Sequence, residues 1–107
     1  MATEKNGVMQ YSLEELKQIL KDSFMKPLDV RTPEEYNEGH IPGVPLRPMQ
    51  EVDEWINELD KDKNYILICR SGNRAQKVAE FLYANGFDKV SNFDGGMLIW
   101  DGEIEEN

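Results

Sequence analysis

The only cysteine of the chain, Cys69, lies between an apolar run and a short loop that holds a glycine and two arginines. Residues 66–68 predict a buried strand, and a helical pattern begins near Arg74. A loop between a strand and a helix can bind anions, because its free N–H groups and the helix dipole both favour negative charge. A thiol in this field favours the thiolate, which is the nucleophilic form of cysteine. The sequence therefore predicts a nucleophilic sulfur.

A purely structural position is the alternative for Cys69. Free cysteines are among the most buried residue types and behave as small apolar side chains. The nucleophile is favoured because the cysteine ends a strand and is followed by Gly72 between two arginines, Arg70 and Arg74.

Length and composition predict one globular domain over residues 1–107. Hydrophobic residues make up 39% and charged residues 31% of the chain. No apolar run approaches the roughly 20 residues that span a bilayer, and the first seven residues lack the apolar core of a secretory signal. A single cysteine cannot form an internal disulfide, so we expect a cytoplasmic protein.

The net charge is −9, from 12 basic and 21 acidic residues. An acidic surface argues against partners such as nucleic acid or an anionic membrane. A small anionic substrate would need a local positive pocket, which Arg70, Arg74 and Lys77 could supply. The stretch from Val90 to the C-terminus holds five acids and no Lys or Arg. We expect a solvated terminus there; the alternative is a docking surface for a basic partner.

Strand and helix patterns alternate along the chain. We expect strands at residues 8–11, 28–30, 65–68 and 90–93, and at most one more at 44–46. Capping-box signals at Ser12 and Thr32 predict two helices, and apolar residues at helical spacing predict two more, over residues 52–59 and from Ala75. The alternation predicts an α/β domain around a mostly parallel sheet.

Ligands of such sheets bind beyond the carboxyl ends of the strands. Residues 29–31 end one apolar run, Cys69 ends another, and residues 94–96 follow a third. We therefore expect these three segments to meet at one edge of the sheet, around the sulfur.

Four short motifs along the chain resemble those of one protein family. Residues 69–74 (Cys-Arg-Ser-Gly-Asn-Arg) resemble the active-site loop of single-domain rhodaneses. Residues 29–36 and 39–43 resemble the two N-terminal motifs, and residues 93–96, followed by Trp100, resemble the C-terminal one. The resemblance places the core of the domain at about residues 8–102. It implies a rhodanese-like fold, with a central, mostly parallel five-stranded sheet and helices on both faces.

The resemblance also implies a reaction. Cys69 would attack the sulfane sulfur of thiosulfate or a related persulfide donor and hold the sulfur as a persulfide. Cyanide or a thiol, which can belong to another protein, would then accept it. The implied substrate-binding residues form the loop, namely Arg70, Ser71, Gly72, Asn73, Arg74 and Ala75. Asp29 and Arg31 would support the site through an ion pair. We expect no cofactor, and one Cys with one His falls short of a closed metal site.

Two other functions stay open. Rhodanese-like domains also occur as non-catalytic binding modules, although these commonly lose the cysteine. Phosphatases and arsenate reductases of the same fold have five residues between cysteine and arginine, whereas four separate Cys69 from Arg74. The shorter loop favours a single sulfur atom over a phosphate. Because the chain has no second cysteine, the persulfide must be resolved by another molecule.

Several residues near these motifs have two interpretations. His40 could pair with Cys69, but a structural hydrogen bond is the expected role.

The segment after the last predicted strand also has two interpretations. Gly95 and Gly96 allow either a close backbone approach to the loop or a simple turn. Met97 and Trp100 either line the rim of the site or pack in the core. Residues 44–49 (Val-Pro-Leu-Arg-Pro-Met) depart from the family pattern, and their prolines put the third strand in doubt.

Overall fold

A five-stranded sheet forms the centre of the computed structural model, which describes residues 3–106; residues 1, 2 and 107 of the predicted domain lie outside that range. The strands are β1 (Thr3–Lys5), β2 (Val8–Tyr11), β3 (Lys26–Asp29), β4 (Tyr65–Ile68) and β5 (Val90–Phe93). Their order across the sheet is β1-β2-β5-β4-β3. Only the β1–β2 pair is antiparallel, so the predicted mostly parallel five-stranded sheet is confirmed.

Four α-helices connect the strands, namely α1 (Leu13–Asp22), α2 (Pro33–Glu38), α3 (Val52–Trp55) and α4 (Asn73–Ala84). Both predicted capping boxes are present, because the side chains of Ser12 and Thr32 accept from the third helical N–H while a glutamate side chain binds back. Within residues 3–106, no helix has the length and apolar character needed to cross a membrane.

The alternation of side chains along β4 divides the core into two layers. Leu67 and Cys69 pack with Val78 and Leu82 of α4 on one face. On the other face, Ile66 and Ile68 pack in a cluster with Leu16 and Ile19 of α1. Every residue of β4 is buried, as expected for a parallel strand covered on both faces. The same alternation points Cys69 toward the first turn of α4.

The fifth strand lies outside the segments for which the sequence predicted strands, and the doubt about a strand at residues 44–46 is confirmed. Residues 44–46 form no strand, and Leu46 makes only an isolated bridge with Asp29, because Pro45 and Pro48 cannot donate to a ladder. β1 is the missing strand instead. It joins β2 through Asn6 and Gly7, whose φ angles of 54° and 85° suit a tight two-residue hairpin.

The predicted helix over residues 52–59 is shorter than its apolar spacing indicated. α3 covers Val52–Trp55 only, and 3₁₀ turns at Met49–Glu51 and Ile56–Glu58 flank it. The indole N–H of Trp55 donates to the Pro48 carbonyl at 2.7 Å, which fixes the entry to this segment. Val52, Ile56 and Leu59 still pack on the core, so the predicted face is correct although the helix is not continuous.

Candidate active site

The sulfur of Cys69 lies inside the turn that joins β4 to α4. It accepts hydrogen bonds from the backbone N–H groups of Gly72 at 3.0 Å and Ala75 at 3.3 Å. Gly72 caps α4 with a φ of 94°, a conformation that glycine adopts without steric cost. The two amides and the N-terminus of α4 therefore face the sulfur, an arrangement that stabilises negative charge on it.

Cys69 is nevertheless fully buried, with a relative exposure of 0%. Burial agrees with the structural alternative for this residue, whereas the two N–H contacts agree with the nucleophile. Because solvent does not reach the sulfur in this conformation, a donor can meet it only when the surrounding side chains or the loop move.

The predicted loop residues differ in their exposure and contacts. Arg70 and Asn73 are exposed, Ser71 and Arg74 are half-buried, and Gly72 and Ala75 are buried. Of the hydrogen bonds found within residues 3–106, two reach the sulfur, so the remaining amides of the loop do not take part in this conformation. Arg70 has no ion pair within the described part of the chain.

Arg74 forms an ion pair with Glu35 of α2. Its two terminal nitrogens donate to the two carboxylate oxygens of Glu35 at 2.7 and 2.8 Å. This guanidinium, with help from Thr32, lowers the pKa of Glu35 from 4.5 to about 2. Since the folded-state pKa is the lower one, the pair stabilises the fold above about pH 4.5, and this contribution is lost as the pH falls toward 2.

Asp29 and Arg31 form the predicted ion pair at the carboxyl end of β3. Nη2 of Arg31 lies 2.8 Å from Oδ2 of Asp29, and Nε lies 3.0 Å from Oδ1. Both side chains are buried, and Arg31 also donates to the Gly39 carbonyl at 2.8 Å. Asp29 is paired in register with Ile68, the residue before Cys69. The pair therefore lies beside the strand that carries the sulfur.

A second loop, residues 94–98, packs directly on the cysteine loop. The N–H groups of Met97 and Leu98 donate to the carbonyls of Cys69 and Arg70 at 2.8 and 2.9 Å. A Cβ on Gly96 would lie 2.4 Å from the Cys69 carbonyl oxygen, so only glycine permits this approach. The close backbone approach is thus the correct interpretation of Gly96. Met97 and Trp100 are partly buried and pack against the α1 layer of the core.

We expect alanine at Gly96 to disturb the site more than alanine at Gly43. Both residues have positive φ angles, 60° and 82°, but a Cβ at Gly43 would meet no atom within 4 Å. Gly43→Ala should cost about 1 kcal/mol of unfolding free energy from backbone strain alone. Gly96→Ala should cost about 2–3 kcal/mol, because it adds overpacking against the backbone of the cysteine loop.

Urea unfolding of the two variants measures this difference. Equal stabilities for the two variants would contradict the packing argument.

A buried polar cluster behind the loop was missed from the sequence. Nδ2 of Asn92, in β5, donates to Oε1 of Gln10 at 2.9 Å and to the Gly72 carbonyl at 3.2 Å. The Gly72 carbonyl also accepts the N–H of Gln76 at 3.0 Å. These contacts fix the carbonyl of the residue whose amide binds the sulfur. The available signal was a pair of polar residues, Ser91 and Asn92, inside a short strand that begins and ends with apolar residues.

His40 has structural contacts. Its Nδ1 lies 2.9 Å from the Tyr36 carbonyl, its ring stacks on Tyr36 at 3.7 Å, and its backbone pairs with Glu105. These contacts agree with the predicted structural role. Residues 3–106 contain no group of three or more His, Cys, Asp or Glu residues that could hold a metal ion.

Comparison with known proteins agrees with this architecture. The family model "Rhodanese-like domain" matches residues 12–103. "Putative sulfurtransferase YtwF" of Bacillus subtilis (strain 168) is 43% identical over 78% of this chain and 81% of its own length. "Thiosulfate sulfurtransferase GlpE" of Pseudomonas syringae pv. syringae is 33% identical over 78% of both chains.

A third relative is longer than this chain. "Putative sulfur carrier protein YrkF" of B. subtilis (strain 168) is 40% identical over 94% of this chain, which spans 55% of that relative. Among solved structures, a rhodanese-like domain protein from Staphylococcus aureus superposes with a TM-score of 0.83 at 37% identity, covering 92% of this chain and 97% of that one. The chain therefore belongs to the rhodanese-like domain family, whose relatives named above include sulfurtransferases.

Proposed function

We propose that this chain is a sulfurtransferase that carries sulfane sulfur as a persulfide on Cys69. The observation that carries this proposal is the pair of N–H groups, from Gly72 and Ala75, that contact the sulfur at 3.0 and 3.3 Å. The names of the relatives YtwF and GlpE support the reaction class, and the second of these names supports thiosulfate as a donor.

The proposed reaction has two displacement steps. The Cys69 thiolate attacks the outer sulfur of thiosulfate, a new S–S bond forms, and the S–S bond of thiosulfate breaks with its electron pair leaving on sulfite. The terminal sulfur of the persulfide is then attacked by cyanide or a thiol, and the electron pair returns to Cys69. Backbone N–H groups stabilise the anionic sulfur of Cys69 that attacks in the first step and that leaves in the second. No cofactor is needed for either displacement.

The partners follow from the same chemistry. Because the chain has one cysteine, the acceptor is a separate molecule, either cyanide or a thiol, and a protein thiol would serve equally. We propose a single rhodanese-like domain acting in the cytoplasm, where a lone thiol stays reduced.

A non-catalytic binding module is the second candidate, and the complete burial of Cys69 is the observation that favours it. A phosphatase is less well supported, since two amides already converge on one sulfur atom in a loop with four residues between Cys69 and Arg74.

Intact-mass measurement under non-reducing conditions tests the proposal. Incubation with excess thiosulfate should add one sulfur atom, which peptide mapping should place on Cys69. Cyanide should then remove the sulfur and release thiocyanate. Absence of both the adduct and thiocyanate would favour the non-catalytic binding module. Hydrolysis of an aryl phosphate would instead support a phosphatase.

A further inference from the structure

The structure leaves fewer uncompensated arginines near the site than the sequence suggested. Arg31 is neutralised by Asp29 at 2.8 Å, and Arg74 is neutralised by Glu35 through two hydrogen bonds. Arg70 is the loop cation left without an ion pair within the described residues, and the whole chain carries a net charge of −9. A doubly charged anion therefore finds one uncompensated arginine in this loop.

Glu35 is held firmly in the position that pairs Arg74. Its Oε1 atom accepts from the backbone N–H and the hydroxyl of Thr32, each at 3.1 Å, and its own N–H donates back to that hydroxyl at 3.2 Å. The carboxylate stays charged throughout the neutral pH range, since its pKa is lowered to about 2. The capping box of α2 thus holds a charged carboxylate against Arg74, although the two residues are 39 positions apart in the sequence.

We propose that Glu35 is a specificity-determining residue, which withholds the charge of Arg74 from the donor and so makes the site favour donors of low charge over doubly charged ones. Persulfides and thiosulfonates are donors of the favoured class, and thiosulfate is one of the disfavoured class. The inference rests on the proposed sulfurtransferase function and concerns the same site.

Two donors that transfer their outer sulfur in the same way but differ in charge allow the effect of donor charge to be measured. Thiosulfate is a dianion that leaves as sulfite. Methanethiosulfonate is a monoanion that passes its outer sulfur to the Cys69 thiolate and leaves as methanesulfinate, with the electron pair of the broken S–S bond. The ratio of kcat/KM for thiosulfate to kcat/KM for methanethiosulfonate therefore reports how strongly the site attracts the additional charge.

Glu35→Gln is the informative substitution. Glutamine at this helix position still forms a capping box, so α2 keeps its N-terminal hydrogen bonds while the negative charge is lost. Arg74 then has an uncompensated charge near the loop. We expect the donor ratio to rise about fivefold, because this charge attracts a dianion more than a monoanion. Added salt should reduce the increase, as expected for partly exposed charges.

Three further variants distinguish electrostatics from structure. Glu35→Asp keeps the charge and should leave the ratio near that of the unmodified protein. Thr32→Ala weakens the cap of α2 but keeps both charges, so it should lower stability without changing the ratio. Arg74→Gln leaves Glu35 uncompensated and should lower the ratio, which provides a test of opposite sign should Glu35→Gln fail to fold.

The outcomes separate this inference from the proposed function. An equal fall of kcat/KM for both donors in Glu35→Gln would mean that Glu35 acts only structurally, and would overturn the specificity role alone. Failure of the unmodified protein to take sulfur from either donor would overturn the sulfurtransferase assignment and this inference with it.

Discussion

Replacing Cys69 with serine should abolish sulfur transfer while the chain stays folded. A serine hydroxyl is not ionised at neutral pH and cannot hold a sulfane sulfur, so turnover should fall at least about a thousandfold, to the uncatalysed rate. The fold should survive because the serine oxygen can accept from the same two N–H groups, those of Gly72 and Ala75. Thiocyanate formation from thiosulfate and cyanide measures the loss, and far-UV circular dichroism with thermal unfolding measures the fold.

Cys69→Ala is the matched control for the role of the two amides. Alanine is equally inactive but accepts no hydrogen bond, which leaves two buried N–H donors without a partner. Each such donor costs about 1–3 kcal/mol, so the alanine variant should be clearly less stable than the serine variant. Turnover in Cys69→Ser would refute the proposed mechanism. Equal stability of the two variants would show instead that the amides do not depend on the side chain for hydrogen bonding.

The parts of the fold that were predictable from the sequence are those with a local physical signal. The capping boxes at Ser12 and Thr32 involve residues three apart, and both form as predicted. β4 was recognisable because four successive apolar residues are typical of a parallel strand covered on both faces, and all four are buried. The turn from Cys69 to the first residue of α4 followed from the same local pattern.

β1 shows why the remainder was harder to predict. Thr3, Glu4 and Lys5 are polar and exposed, so no apolar periodicity marks the strand. The strand exists because Asn6 and Gly7 form a tight hairpin onto β2, a turn that the spacing of apolar residues does not reveal. Residues 44–46 present the opposite case, since the strand of the family pattern fails where proline removes the backbone donors.

The charge distribution of the site could not be predicted because it depends on pairing between distant residues. The sequence indicates that Arg74 lies at the start of a helix beside the cysteine. It does not indicate that Glu35 accepts hydrogen bonds from both terminal nitrogens of Arg74, because the two residues are 39 positions apart. The contacts of Asn92 with Gln10 and Gly72 are likewise non-local. Sequence patterns therefore located the cysteine loop but not the distant residues that contact it.

Breaking the Asp29–Arg31 pair should have the largest effect on stability. Both side chains are buried, with 1% and 8% exposure, and Asp29→Ala would leave the guanidinium of Arg31 in the interior without a counter-charge. Removing one partner of a buried ion pair typically costs about 3–5 kcal/mol, because the remaining charge is neither solvated nor paired. We expect urea unfolding of this variant to show a loss of that size.

Asp101→Ala provides a matched comparison for this loss. Lys17 and Asp101 lie 2.7 Å apart, as close as the buried pair, but their side chains are 38% and 63% exposed. Water solvates the lysine when its partner is removed, so this variant should unfold at nearly the same urea concentration as the unmodified protein. A similar loss in both variants would show that distance rather than burial sets the cost. Any Asp29→Ala protein that remains folded should also lose sulfur transfer, because Asp29 pairs in register with the residue that precedes Cys69.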